Sequence, residues 1–426
     1  MIRISHPLVM KLLLAAGVLA ALLLPSPGYT QARLVSLEEA IQTAVAQNPS
    51  LRAAASETEA VRHLKRTSVE IPKTQALWMS GQYNSLNKDN SITITQSLPF
   101  PTVFTSQSRL GELRVKSSQY RELASRNELI YQVKQVCQTL QFLQARERLL
   151  RSQDSLFAEL VRTTTLQLAT GEGTLLQKTS AETRYNEVKN QMVQNLADQL
   201  TARAQLRVLM NTTDDVSLLP SDFLPLNTTL VNDLGQVTEN PLLAYQQSLS
   251  SVAKQEKRVE TNRSLPDLSF GYFSQSLIGF QTQPDGTDRY FSADDKFSGF
   301  MVGLAIPIWF VPSAARVKAA GAQSESFRLQ AESVEKQLQG DWRKAIQQFE
   351  KHSGSLRYYR ESALPNAQML LRQSTTAFRA GEIGQADFRL NVQQAISIEE
   401  SYLQTVLDYN QSVLSLEFLA GTYVKN

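Results

Sequence analysis

Residues 129–157 read LIYQVKQVCQTLQFLQARERLLRSQDSLF, and the spacing within them decides the fold class. Leu129, Val136, Leu143, Leu150 and Phe157 recur at every seventh position, and Val133 and Leu140 fall four positions after members of that series. This is an a/d seam held over several heptads, the pattern of a helix that hides a narrow apolar stripe against neighbouring helices. Outward from the seam, the helical stretch runs from Val103 to Leu168, about 66 residues or roughly 100 Å at 1.5 Å per residue. In the second half Trp342, Phe349, Leu356, Ala363, Leu370 and Ala377 repeat the spacing inside a stretch of similar length, Ala314 to Arg379. Ordinary globular helices run to about 11 or 12 residues. Pro365 lies inside the second stretch and is expected to kink or restart it, since proline lacks the amide hydrogen that a continuous helix needs.

The two long helices belong to a duplication. Asn48-Pro49-Ser50-Leu51 opens one helical stretch and Asn240-Pro241-Leu242-Leu243 opens another. Each runs to a proline, Pro72 or Pro266, where a strand-like segment begins. The strand regions close on Gln96-Ser97-Leu98-Pro99-Phe100 and Leu304-Ala305-Ile306-Pro307-Ile308, and the long helices end at Gly171-Glu172 and Gly381-Glu382. The early markers are offset by about 192 to 194 positions and the later ones by about 208 to 210, a period that suits a duplicated domain and not a short-repeat solenoid. The jump places an insertion in the second strand pair, where the polar stretch Gln281 to Lys296 with Pro284-Asp285-Gly286 reads as an enlarged loop. The expected organisation is a targeting segment (1–32), a first repeat (33–225), a linker (226–239) and a second repeat (240–426). Strand pairs are expected near 74–98 and 267–308.

Shorter helices complete each repeat, beginning near Thr174 and Gln385 after the glycine turns. Ser36-Leu37-Glu38-Glu39 reads as a capping box, with Ser36 accepting from free amides and Glu39 reaching back. In the strands, Ile92, Ile94 and Leu98 alternate with Thr93, Thr95 and Ser97, and Phe300, Val302, Leu304 and Ile306 alternate with small residues. Leu268, Phe270 and Tyr272 form a third such series. Period-two alternation of this length suits a membrane barrel, apolar outward, and equally a half-buried sheet in a soluble protein. Four strands are too few to close a barrel, so a membrane role requires oligomerisation.

Composition narrows the chemistry. Arg3 and Lys11 precede the apolar run Leu12 to Leu24, and Thr30-Gln31-Ala32 offers a cleavage site, so the first 32 residues read as an export signal. No cysteine follows that site, so a lipid anchor on a mature N-terminal cysteine is not expected. No later segment is long and apolar enough for a membrane helix, so any insertion must use strands. The single cysteine, Cys137, leaves no means of building an intramolecular disulfide or a thiolate zinc site, and three histidines, one of them in the targeting segment, nearly remove Ser-His-Asp chemistry. The formal charge of +3 is spread along the helices, giving no patch for nucleic acid. No cofactor is expected: Gly171-Glu172-Gly173 joins helix to helix and lacks the Lys-Ser/Thr of a phosphate loop.

Together, Ser36-Leu37-Glu38-Glu39-Ala40 with Asn48-Pro49, the strand entry Leu265-Pro266-Asp267-Leu268-Ser269, the strand-exit prolines, both glycine turns and the duplication resemble the TolC family of outer-membrane efflux proteins. The likeness covers nearly all of the chain after the targeting segment, and the first hairpin looks most like the branch that accompanies heavy-metal-cation efflux pumps. The resemblance implies a homotrimer in which each protomer gives four strands to one 12-stranded outer-membrane barrel, with the long helices forming a periplasmic tunnel. It implies a passive exit duct, not an enzyme, with a periplasmic adaptor and an inner-membrane pump as partners. The runner-up is a soluble periplasmic coiled-coil adaptor, which should carry one hairpin between β-rich halves, not the whole unit twice.

The resemblance also places candidate sites. Gly171, Glu172, Gly381 and Glu382 would lie at the periplasmic tip and dock the adaptor, although a glycine there also simply ends a helix. Asp387 matches a position where members carry an acidic residue lining the tunnel constriction; its other reading is a first-turn acid favoured by the helix dipole. Leu390 stands where a second acid is expected, and Ile383 where a basic latch can sit, so the gate is expected to close on apolar contact. Tyr272 and Trp309 are candidates for an interfacial aromatic girdle, or else for packing beside the helices.

Overall fold

In the computed structural model of the chain, residues 33–228 and 234–424 are described. The export signal read at 1–32 and part of the linker fall outside them. Strand β1 (Arg33–Val35) leads into α1 (Leu37–Gln47) and α2 (Pro49–Lys65). Strands β2 (Gln75–Gly81) and β3 (Asp89–Leu98) precede α3 (Pro101–Ala169) and α4 (Leu175–Met210), and β4 (Val216–Leu218) follows. The second repeat has α5 (Pro241–Asn262), β5 (Asp267–Ser276), β6 (Gly279–Thr282), β7 (Asp288–Phe291) and β8 (Lys296–Ala305). Then follow α6 (Phe310–Tyr358), α7 (Leu364–Arg379) and α8 (Gln385–Leu419). The protein is mostly helical with a small sheet component, as the heptads and alternations predict.

The two halves of the chain make matching side-chain hydrogen bonds. Asn48 accepts from the Ser50 amide at 2.9 Å and donates to the Leu209 carbonyl at 3.0 Å. Asn240 accepts from the Leu242 amide at 2.8 Å and donates to the Leu419 carbonyl at 3.0 Å. Each asparagine caps one helix and ties off the carbonyl end of the last helix of its own repeat, satisfying groups that helix ends leave open. At Ser36 only half of the capping box forms: its hydroxyl accepts from the Glu39 amide at 3.1 Å, while the Glu39 carboxylate turns to Arg33 on β1. The reciprocal box forms instead at Thr174 and Gln177, at the start of α4.

The α3 seam is buried at every position read except Val136, which is half-buried, and Leu150 and Val133 are fully enclosed. It packs at one level on α1, α4 and the parallel pair β1–β4, and at another on α4 and α8. Buried Asn410 on α8 pins the strap after β4: it accepts from the Leu226 amide at 2.8 Å and donates to the Leu224 carbonyl at 3.0 Å. In the second repeat the helix does restart at the proline. A π-helical turn, Tyr359–Ala363, joins α6 to α7 immediately before Pro365 and absorbs its missing amide hydrogen. The seam changes register there. Burial passes from Ala363 to Ala367 and Ser374, and the expected positions Leu370 and Ala377 are only half-buried.

The larger sheet has the order β2-β3-β5-β8, antiparallel throughout. Cross-strand partners share a face, so the register puts Ala76, Ile94, Tyr272 and Phe300 in one row. Phe270 with Val302, and then Leu98 with Leu268 and Leu304, continue that face toward the helices. It is open to the surroundings: Phe300 is 86% and Val302 76% exposed. The opposite face is polar or small at Thr95, Ser97, Ser269 and Gly303. There Gly299 has no room for a side chain, because an added Cβ would lie 2.8 Å from the Phe273 ring. The insertion is more than a loop: β6 and β7 form a hairpin around the turn at Asp285 and Gly286, beyond the far end of the sheet from the helices.

Candidate functional site

Two regions gather the residues singled out from sequence, one at each end of the helical part. At the tip, α3 turns into α4 through Gly171 (φ +78°) and α7 into α8 through Gly381 (φ +74°). The bonding is the same in both. Glu172 N donates to the Gln167 carbonyl at 2.9 Å and Glu382 N to the Ala377 carbonyl at 2.8 Å, while each glycine amide bonds three residues back. These are Schellman endings, which need a left-handed residue after the helix. A Cβ on either glycine would meet nothing within 4 Å. Substitution to alanine should therefore cost only the backbone penalty, about 1–2 kcal/mol per site, read as a lowered denaturant midpoint with an unchanged helical circular dichroism spectrum.

The two turns sit side by side. Gln385 Nε2 donates to the Gln177 carbonyl at 3.4 Å, and the Arg389 guanidinium bonds the Ser180 hydroxyl. Between them lies a cleft of about 620 Å³ walled by Glu172, Arg379, Gly381 and Gln385, with Phe378 and Phe388 stacked at 4.5 Å in its floor. Glu172 and Glu382 are both exposed. Ile383 packs half-buried against the cluster of Leu150, Phe157 and Phe388. Asp387 is exposed in the first turn of α8, and no Lys or Arg among the described residues comes within ion-pair range of it. Leu390, 67% exposed, sits over a shallow hollow formed with Ser180, Arg184 and Arg389. Sequence reasoning missed Arg389, Phe388 and the exposed pair Leu175–Leu176. The apolar pair directly after the Thr174 cap was the available signal, because a first helical turn rarely spends two leucines on solvent.

At the sheet end the two aromatic candidates part company. Trp309, 85% exposed, stands just beyond β8 within an exposed apolar run from Ile306 to Val311. Tyr272 lies in the middle of β5, its ring 5.6 Å from that of Phe300. The two are at different heights on the apolar face.

Reactive chemistry is sparse. Among the described residues no three of His, Cys, Asp and Glu gather as metal ligands, and no helix is long and apolar enough to cross a membrane. Burial in the α3 seam pushes the Cys137 thiol up to about 12. A thiol this far above neutrality carries almost no thiolate, the reactive form. Cys137 should resist maleimide labelling in the native protein and label fully on denaturation.

No protein-family model matches the sequence, and no curated protein matches it. Solved structures do match. The outer-membrane channel OprN superposes with a TM-score of 0.74 at 16% identity, covering 93% of this chain and 94% of that one. The open state of the Neisseria gonorrhoeae MtrE outer membrane channel gives 0.71 at 16%, covering 90% and 88%. The Campylobacter jejuni CmeC outer membrane channel gives 0.72 at 13%, covering 90% and 85%. The chain shares the fold of these channels over nearly its whole described length.

Proposed function

We propose, from that shared fold, that the protein is one protomer of a homotrimeric outer-membrane channel. It would serve as a passive exit duct for solutes, metal cations among them, delivered by an inner-membrane pump through a periplasmic adaptor. The observation that carries this reading is the sheet: one face is apolar and exposed, and both outer edges, β2 and β8, lack partners among the described strands. Unpaired edges invite pairing in water and do not occur in lipid, and closure into a barrel removes both problems together. Three such sheets would make 12 strands, and the helices would continue the duct into the periplasm. The glycine tips would meet the adaptor. Three copies of Asp387 near the axis would give the constriction a negative field, with Leu390 closing it by apolar contact.

Conductance across a planar bilayer tests the proposal. Purified protein should give stepwise, cation-preferring currents, and Asp387→Asn should keep the steps while reducing cation preference. Quantitative recovery of detergent-free monomer in the soluble periplasmic fraction would sink the channel reading and favour a soluble adaptor. Steps with unchanged selectivity in the Asp387 variant would sink only the gate assignment.

A further inference from the structure

The junction between sheet and helices carries basic side chains that have no ion-pair partner among the described residues. Of the basic side chains around it, Lys65, Arg114 and Arg263 are already paired, with Glu112, Glu256 and Glu260. Arg66, Lys73, Lys257, Arg316 and Lys318 are exposed, and none has a carboxylate within ion-pair range among the described residues. Lys257 makes the crowding worse. Its Nζ would lie 3.6 Å from a Cβ built on Gly321, which puts it along the first turns of α6, near Lys318. Like charges gathered this way repel one another unless an anion is supplied from outside.

Their placement says what anion. Lys73 lies two positions before β2, and Arg66 opens the turn after α2 beside exposed Val69, Glu70 and Ile71. Arg316 and Lys318 follow the exposed run that contains Trp309, about 10 Å along α6. The charges thus border the helix-side rim of the apolar face. The balance differs at the other rim: the helix-side collar sets only the carboxylates Glu70 and Asp267 against its five free basic groups, whereas Asp285, Asp288, Asp294 and Asp295 outnumber Lys88, Arg289 and Lys296 at the far end. We infer that this collar binds the anionic headgroups of glycerophospholipids in the leaflet nearest the helices. Arginine and lysine stems would lie along the apolar rim with their heads in the phosphate layer. Because Lys73 leads into one sheet edge and Arg316 follows the other, a ring joined edge to edge brings the two groups together at each seam. Lipid would then bridge neighbouring protomers. The inference rests on the channel reading, which supplies the bilayer.

Electron spin resonance of the full chain in phosphatidylcholine vesicles tests it, using spin-labelled phosphatidylglycerol and phosphatidylcholine as probes. The expected result is a motionally restricted component for both lipids, with phosphatidylglycerol favoured about fivefold. At 1 M salt, where the screening length is about 3 Å, that preference should collapse. The variant R66Q/K73Q/R316Q/K318Q should bring the two lipids to parity, whereas R66K/K73R/R316K/K318R should keep the preference. Parity in the unmodified protein, with restricted phosphatidylcholine still present, overturns the collar and leaves the channel standing. Tighter association of spin-labelled lipid A than of phosphatidylglycerol overturns the assignment to glycerophospholipid. No restricted lipid of any kind overturns both readings, since the apolar face would then not meet a bilayer.

Discussion

Replacing Phe300 with arginine is expected to abolish the proposed channel assembly while leaving the helices folded. Phe300 sits at the middle of β8, paired with Tyr272, on the face whose side chains are most open. A guanidinium at the midplane of an outer-membrane barrel costs about 2–4 kcal/mol, so a ring of three would lose about 6–12 kcal/mol. The ring of Phe300 also contributes apolar area that arginine does not replace. The control is Thr95→Arg. Thr95 lies on the opposite face, across from Gly271 where the flexible Met301 side chain packs, and a water-filled lumen would receive the charge. Phe300→Arg should lose both the heat-resistant oligomer on gels and the bilayer conductance; Thr95→Arg should keep both. The reverse ranking would mean that the polar face meets lipid, and the channel reading would fail.

The second large effect concerns Trp342. It is 1% exposed and packs with Val237, Leu243, Leu338, Leu416 and Leu419, where α6, α5 and α8 meet. Trp342→Ala leaves a cavity that a rod-like helix packing cannot collapse, and a loss of about 3–5 kcal/mol is expected. The indole N–H has no hydrogen-bond partner. Trp342→Phe therefore forfeits volume but no bond, and should cost about 1–2 kcal/mol. Denaturant titration followed by far-ultraviolet circular dichroism in detergent separates the two variants. Equal losses for both would show that the indole nitrogen contributes a bond after all.

What could be read in advance was whatever the chain decides locally. Asn48 and Asn240 are legible as caps because the cap accepts from an amide only two residues away. Gly171 and Gly381 are legible because a left-handed residue after a helix has few substitutes. The α3 seam follows from its period alone. The reading lost ground where a distant segment decides. Glu39 was expected to finish its own cap, but the pairing of β1 with Val216–Leu218 holds Arg33 nearby, and a charged partner displaces a backbone one. Leu370 and Ala377 were placed on the seam by counting sevens through Pro365. The π-helical turn inserted ahead of that proline moves every later residue around the helix. At the tip, Arg389 and Phe388 matter only because the two repeats lie against each other, and no spacing within either repeat announces that. The assembly itself lies further off still, since its contacts belong to surfaces that the single chain leaves bare.

The strand count has a consequence for symmetry. Four strands laid antiparallel give a sheet whose two borders point in opposite directions, so β8 of one copy can meet β2 of the next with the alternation unbroken. Three or five strands per copy would force one parallel contact at every join, and identical subunits related by simple rotation could not be laced uniformly. An even contribution frees the head-to-tail contact from that conflict. The hairpin supplies the even number by itself, and a second hairpin keeps the count even while widening the ring.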